Sequence, residues 1–348
     1  MDLSELIVIK QTSILDVMKI FNQTGRQIAL IATEGKLEAV VTDGDIRRFI
    51  VKGGSINEPV EKIANFKPRY VFDCERESAK KIMQKYSLTA IPILDDNGSI
   101  NSIIFADDLE IERKHNLNIP VVIMAGGFGT RLYPYTKILP KPLIPIGDIP
   151  IAEHIINKFL KFNCKDFYMI LNHKKNMIKS YFSEVKCTYN LNFVEEDQPL
   201  GTGGGISLLK NKINKPFFLS NCDILIDADY ESIYRQHKNQ KNLITLVCAF
   251  RHMTIPYGVI ELDNNGRINK MSEKPQYSFL TNTGMYLIEP RVINELKTEA
   301  VSMPEIINYY RNRGENIGVY PVNEKCWLDM GQLEELEEMR KALEEGHG

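Results

Sequence analysis

Three glycines and two cations crowd a short span of this 348-residue chain. Gly126, Gly127 and Gly129 follow directly on the apolar run Val121–Ala125. Arg131 comes next, and Lys141, held between Pro140 and Pro142, lies ten residues further on. Glycines let a backbone approach an anion closely and turn its N–H groups toward it. Arg131 and Lys141 add the fixed charge a triphosphate requires. The spacing is not G-x-G-x-x-G, because Leu132 stands where the third glycine belongs, and no G-K-[ST] follows to make a P-loop. The span reads as a nucleotide-phosphate loop of another kind; the plain alternative is a tight strand-to-helix turn with two surface cations.

Two further stretches carry chemistry of their own. Leu200-Gly201-Thr202-Gly203-Gly204-Gly205 is a second glycine run opening a helix, or else a flexible loop. Phe218–Ile224 is an apolar strand ending in Asp223. A carboxylate at a strand end suits Mg²⁺, a hard cation that prefers oxygen ligands and phosphate partners. The histidines at 115, 154, 173, 237, 252 and 347 show no metal-ligand spacing, and no Ser/His/Asp or Cys/His arrangement stands out.

The combination G-G-x-G-T-R-L-x-P-x-T followed by P-K-P-L resembles the signature of the sugar-1-phosphate nucleotidyltransferases, also called nucleotide-sugar pyrophosphorylases. The resemblance spans Ile119 to about Met339 and implies roles residue by residue. Ala125, Gly126, Gly127, Gly129, Thr130 and Arg131 would cradle the triphosphate, with Lys141 on the α-phosphate. Gly201 and Thr202 match the L-G-T that lies against the base. Asp223 and Asp329, in Trp327-Leu328-Asp329-Met330-Gly331, match the two carboxylates that hold Mg²⁺, although Cys222 replaces the glycine of the usual N-G-D. Glu273 would accept from sugar hydroxyls, and Lys274 would hold the acceptor phosphate. Gly258, Thr283 and Gly284 would line the sugar pocket. Arg131, Lys141, Asp223 and Lys274 are then the catalytic set. The implied reaction is one in-line displacement at the α-phosphorus by a sugar 1-phosphate, releasing pyrophosphate.

These residues need a scaffold. Apolar runs at Val121–Met124, Phe167–Leu171, Leu191–Val194, Pro216–Ser220, Ile244–Phe250 and Met285–Ile288 read as strands. They alternate with helical patterns at Ile151–Phe162, Met177–Phe182, Ile206–Leu209 and Tyr230–Lys238. Such alternation predicts an α/β domain over 119–348 with a Rossmann-like, mixed, mostly parallel sheet, and ligands bound beyond the strands' carboxyl ends. Tyr257–Leu262 and Ile268–Lys270, joined by Asp263-Asn264-Asn265-Gly266, read as a hairpin, a flap over the acceptor side.

The first 115 residues repeat at an offset of 63: Leu30 falls on Ile93, Gly35 on Gly98, and Asp45 on Asp108. Each copy reads as a helix (Ser13–Asn22, Ser78–Tyr86), a strand, a glycine turn and a second strand. One copy cannot bury its apolar face alone, so the two should pack together. This resembles a tandem pair of CBS domains, with Thr42 and Asp45 of V-V-T-D-G-D-I-R as candidate ribose ligands for an adenine or guanine nucleotide. In the second copy Phe105 replaces the threonine, so at most one intact site is expected. The alternative is a dimerisation or packing module in which Asp45 caps a helix. Either role accords with a regulatory or oligomerisation module and a homo-oligomer. Glu110–Asn118 reads as the hinge.

Composition narrows the partners. Net charge is −2 and pI about 6.4, which argues against a general nucleic-acid binder. The six scattered cysteines lack any C-x-x-C and read as reduced thiols. Met1–Lys10 has no leader pattern, and no apolar run reaches the ~20 residues of a membrane span, so a cytoplasmic protein is expected. Residue types do not decide guanine over uracil or thymine. The order of a CBS pair before a transferase resembles guanylyltransferases of bacterial surface-glycan synthesis. It implies GTP and glucosamine 1-phosphate, ahead of mannose or heptose 1-phosphate with GTP, or glucose 1-phosphate with dTTP or UTP. A non-catalytic nucleotide sensor is the alternative of another class.

Overall fold

The computed structural model describes residues 3–107 and 115–345. The chain divides into two compact units, Met1–Lys114 and His115–Gly348. Asp108, most of the expected hinge (residues 110–114) and His347 lie outside the described residues.

The first unit holds two three-stranded sheets of one design. Ile7–Val8 pairs parallel with Ile28–Thr33, which turns back antiparallel into Lys36–Thr42. Val71–Phe72, Ala90–Leu94 and Ile100–Phe105 repeat the arrangement. Each hairpin carries an irregularity at the matching place, after Ile31 and after Ile93. The turn glycines Gly35 and Gly98 adopt φ +79° and +80°, a region an L side chain disfavours. One apolar cluster mixes the copies: Leu6, Ile28, Leu30 and Val40 pack with Ala90 and Phe105. Phe105 therefore belongs to the shared core, with the Arg26 guanidinium 3.9 Å from its ring centroid.

The second unit is built on a seven-stranded sheet in the order Asn190–Glu195, Asp166–Leu171, Val121–Ala125, Phe217–Asn221, Gln276–Ile288, Ile244–Thr254, Ile317–Asn323. The first four strands are mutually parallel, Gln276–Ile288 runs antiparallel to both neighbours, and the last pair is parallel again. Alternate residues feed two cores. Val121, Ile123, Phe167 and Phe218 pack with Ile155, Ile156 and Phe159 of the helix Ile151–Leu160. Val122, Ile170, Phe217 and Leu219 pack with Met303, Ile306 and Tyr310 of the helix Met303–Asn312. Both faces are thus covered, as a largely parallel sheet requires.

The expected strand at Met285–Ile288 is the end of a much longer one, and Ile206–Leu209 lies in the 3-10 turn Gly205–Leu209. The strand Ile317–Asn323 escapes a sequence reading because Gly318 and Pro321 interrupt it. It is an edge strand, where proline is tolerated. Gly318 is needed there because a Cβ would lie 1.9 Å from Asn242 Nδ2. Val259–Leu262 and Ile268–Ser272 form the antiparallel hairpin. Among the described residues, no helix is long and apolar enough to cross a membrane.

Candidate active site

The glycine loop leaves the carboxyl end of the central strand Val121–Ala125. Gly129 takes φ +65°, and a Cβ on it would sit 2.8 Å from Thr136 Cγ2 and 3.4 Å from Lys141 Cβ. The loop therefore lies directly on the segment that carries Lys141. The Thr136 hydroxyl donates to the Gly129 carbonyl at 2.7 Å. The Lys174 ammonium donates to the carbonyls of Thr136, Lys137 and Ile138 at 2.9, 2.7 and 3.0 Å, closing the short helix Tyr135–Ile138. Thr130 and Arg131 are exposed on the turn that follows Gly129. Lys174→Met removes a charged cap from three carbonyls. It is expected to cost about 1–2 kcal/mol in urea unfolding.

Lys141 forms an ion pair with Asp223, just beyond the strand Phe217–Asn221. Asp223 and Asp329 come together because the strands Ile224–Ile226 and Trp327–Asp329 pair antiparallel, Ile224 opposite Asp329. The Met330 N–H donates to the Asp223 carbonyl at 2.8 Å, fixing that register. Burial disfavours the charge on Lys141, but Asp223, and more weakly Asp329, outweigh it and hold its pKa above the usual lysine value. Burial, Asp223 and Glu335 push the Asp329 carboxyl up to about 6. Two carboxylates crowd one lysine, with Glu335 beside them, and this leaves excess negative charge that a divalent cation would neutralise. Among the described residues no group of three His, Cys, Asp or Glu side chains forms a metal cage. Mg²⁺ does not demand one, since it usually takes one or two carboxylates together with substrate phosphates. Burial, then Asp223, push the Cys222 thiol up to about 12, so it stays a neutral thiol beside the pair.

The second glycine run is a packing device. The Gly203 and Gly204 N–H groups both donate to the Val301 carbonyl at 3.0 Å. A Cβ on Gly204 would lie 2.2 Å from the Glu299 carbonyl oxygen, and one on Gly201 2.8 Å from that of Val301. This corrects the flexible-loop alternative: the glycines are demanded by close backbone contact. The Thr202 hydroxyl oxygen accepts from the Met303 N–H at 3.2 Å, so it already has a partner.

On the acceptor side, a Cβ at Gly258 would sit 3.1 Å from Glu273 Oε2, which places that carboxylate against Gly258. Glu273 and Lys274 are exposed. Thr283 is buried, and its hydroxyl donates to the Val247 carbonyl at 2.7 Å, tying two strands together. Gly284, at φ +87°, abuts Asn221, whose Nδ2 would be 2.4 Å from a Cβ there. In the first unit, Thr42 and Asp45 form a capping box, and Arg48 Nη2 donates to Asp45 Oδ1 at 2.5 Å. Both candidate ribose ligands are thus engaged in holding the helix Asp43–Val51.

Sequence reasoning missed Glu196. It is 5% exposed, between the two glycine segments, and burial raises its carboxyl pKa despite an opposing hydrogen bond from the Leu200 backbone. Its only sequence signal was the acidic triplet Glu195-Glu196-Asp197, which reads as solvated surface.

A sequence model of the nucleotidyl transferase family matches residues 120–346, and one of the CBS domain matches residues 4–52. The chain belongs to the nucleotidyl transferase family, with a CBS region before the catalytic-type domain. It is 36% identical over 181 residues to the bifunctional protein GlmU of Methanococcus aeolicus, covering 51% of this chain and 42% of that one. It is 29% identical over 219 residues to the catalytic subunit beta of mannose-1-phosphate guanylyltransferase from Drosophila pseudoobscura pseudoobscura, covering 61% of this chain and 58% of that one. The chain therefore spans about half the length of these curated relatives. The crystal structure of HddC from Yersinia pseudotuberculosis complexed with GMP-PN shares the fold: TM-score 0.52, 21% identity, 65% of this chain and 99% of that one.

Proposed function

We propose that this protein transfers a nucleoside monophosphate from a nucleoside triphosphate to a sugar 1-phosphate, releasing pyrophosphate. The observation that carries this reading is the position of Lys141, packed under the Gly129 loop and ion-paired to Asp223 beside Asp329. A phosphate-type loop and an acidic pair thus share one lysine.

Two polyanions must be brought together and their charge offset; little covalent work is left to the protein. The acceptor phosphate is already an anion near neutral pH, so no general base is required. Backbone N–H groups of Gly126–Thr130 and the Arg131 guanidinium brace the β- and γ-phosphates. Lys141 exchanges its contact with Asp223 for the α-phosphate, and Lys274 holds the acceptor phosphate. Asp223 and Asp329 would hold Mg²⁺, which would supply positive charge to offset the negative charge developing on the leaving oxygens. Asp329 must lose its proton to serve. Mg²⁺ affinity, measured by calorimetry on the protein alone, is therefore expected to be level above about pH 6 and to fall by up to about tenfold per pH unit below it.

GTP is the proposed donor, in line with the guanylyltransferases among the relatives. Glucosamine 1-phosphate is the proposed acceptor, because a CBS pair before a transferase resembles the glucosamine-1-phosphate guanylyltransferases of legionaminic acid biosynthesis. The CBS region, taken as residues 1–115, is proposed as a regulatory or oligomerisation module of a cytoplasmic homo-oligomer. The test is pyrophosphate release with Mg²⁺, crossing GTP, UTP, dTTP, CTP and ATP with glucosamine, N-acetylglucosamine, mannose and glucose 1-phosphates. A maximum at GTP with glucosamine 1-phosphate supports the full reading. A maximum at another pair keeps the reaction and replaces the substrates. Tight nucleotide binding without release makes the protein a nucleotide sensor.

A further inference from the structure

Lys174 belongs to no motif of the sequence, yet the fold uses it fully. It sits in the turn that follows the strand Asp166–Leu171. Its ammonium donates to three consecutive carbonyls, those of Thr136, Lys137 and Ile138. An ammonium has three donors and no acceptor, so its capacity is spent. Its backbone is held at φ +53°, the left-handed region that a lysine seldom enters. Such a conformation persists only where surrounding contacts over-determine it. Its neighbours in the turn add such contacts. The Asn172 side-chain amide donates to the Glu196 carbonyl at 3.1 Å, and the His173 ring lies 4.8 Å from that of Phe128 in the glycine loop.

The three carbonyls belong to the strap of chain that joins Arg131 to Lys141. Thr136 is the link from that strap to the loop. It is buried, its carbonyl accepts from Lys174, and its hydroxyl donates to the Gly129 carbonyl at 2.7 Å. The Leu132 N–H donates to the same Gly129 oxygen at 3.0 Å, so both lone pairs of that oxygen are used. A trans peptide is planar, with its C=O and N–H on opposite sides. Pinning the Gly129 oxygen against Thr136 therefore turns the Thr130 N–H away from the strap. Thr130 is exposed, on the side of the loop where the triphosphate is proposed to lie. Were this peptide to rotate, it would present a carbonyl oxygen to the phosphates in place of a donor.

We propose that Lys174 is a positioning residue: acting through Thr136, it holds the Gly129–Thr130 peptide with its N–H presented to the triphosphate. The inference rests on the phosphate-loop role given to Gly126–Thr130 in the reading above. Lys174 spends its donors on the protein, so it acts on the nucleotide only through the loop.

The test is calorimetry on the full-length protein without sugar phosphate, comparing GTP with GMP and dTTP with dTMP. Within each pair the nucleoside is the same, so the affinity ratio reports the β- and γ-phosphates. In Lys174→Met the triphosphate is expected to bind roughly tenfold more weakly, with the monophosphate within about twofold of its original affinity. Thr136→Val, which removes the hydroxyl and nearly keeps the shape, should do the same. The double variant should lose little more than either single one, because the two residues act in one chain. A merely structural Lys174 would weaken both members of a pair alike, or neither, and either result overturns the proposal. So does an additive loss in the double variant. These outcomes leave nucleotidyl transfer standing. An unaltered protein that binds neither triphosphate more tightly than its monophosphate removes the phosphate-loop reading and this one with it. Should Lys174→Met fail to fold, Lys174→Gly loses the same three bonds while relieving the left-handed backbone. An unchanged affinity ratio in that variant overturns the proposal as well.

Discussion

Asp223→Asn is expected to lower kcat for pyrophosphate release by about 10³-fold while the protein remains folded. The substitution is isosteric, and the backbone link from Met330 N–H to the residue 223 carbonyl survives it. What is lost is one negative charge from the pair proposed to hold the cation. Asp329→Asn should act in the same direction, because the two carboxylates form one site through the pairing of Ile224 with Asp329. Circular dichroism and thermal melting check the fold, and single-turnover rates with saturating Mg²⁺ check the chemistry. A Asp223→Asn rate within about tenfold of the unaltered protein would remove Asp223 from the metal set.

The second large effect concerns stability. Gly204→Ala should destabilise the protein by about 2–3 kcal/mol in urea unfolding, at the upper end of what overpacking costs. Gly204 has φ −65°, so no backbone strain is involved and the effect is steric. The new methyl would meet the Glu299 carbonyl oxygen at 2.2 Å. Backbone there cannot easily withdraw, since the Gly203 and Gly204 N–H groups both bond to Val301. Gly127→Ala is the control, because a Cβ at that position meets nothing within 4 Å. Equal stability of the two variants would mean that the second glycine run is loose after all.

The parts of this molecule that were legible in the sequence are those set by local pattern. A short apolar run followed by glycines gave the central strand and its loop, and an apolar run ending in Asp223 gave the next strand. Each depends on neighbours within a few residues. The illegible parts depend on partners distant in the chain. Nothing around Lys141 says that it meets Asp223, and nothing around Gly204 says that residues 299–301 press against it. The Thr202 and Thr283 hydroxyls bond to Met303 and Val247, partners that no local pattern announces. Glu196 is buried between two exposed acidic neighbours, so nothing local marks it. The length of Gln276–Ile288 was hidden for a related reason. Its first half is exposed, so pairing with Ile244–Thr254, not burial, defines it as a strand.

The antiparallel pairing of Ile224–Ile226 with Trp327–Asp329 also imposes a sequence in time. A ribosome delivers the chain from its N-terminus. The glycine loop, Lys141 and Asp223 all emerge long before Asp329 does. Until then a growing chain owns a phosphate loop and half of an acidic pair, and Lys141 faces a single carboxylate that it can neutralise alone. The surplus charge that would draw in a divalent ion arises only when the late strand docks. The proposed cation site is therefore complete only once this late strand has docked, and a chain terminated before Asp329 would lack one of its two carboxylates.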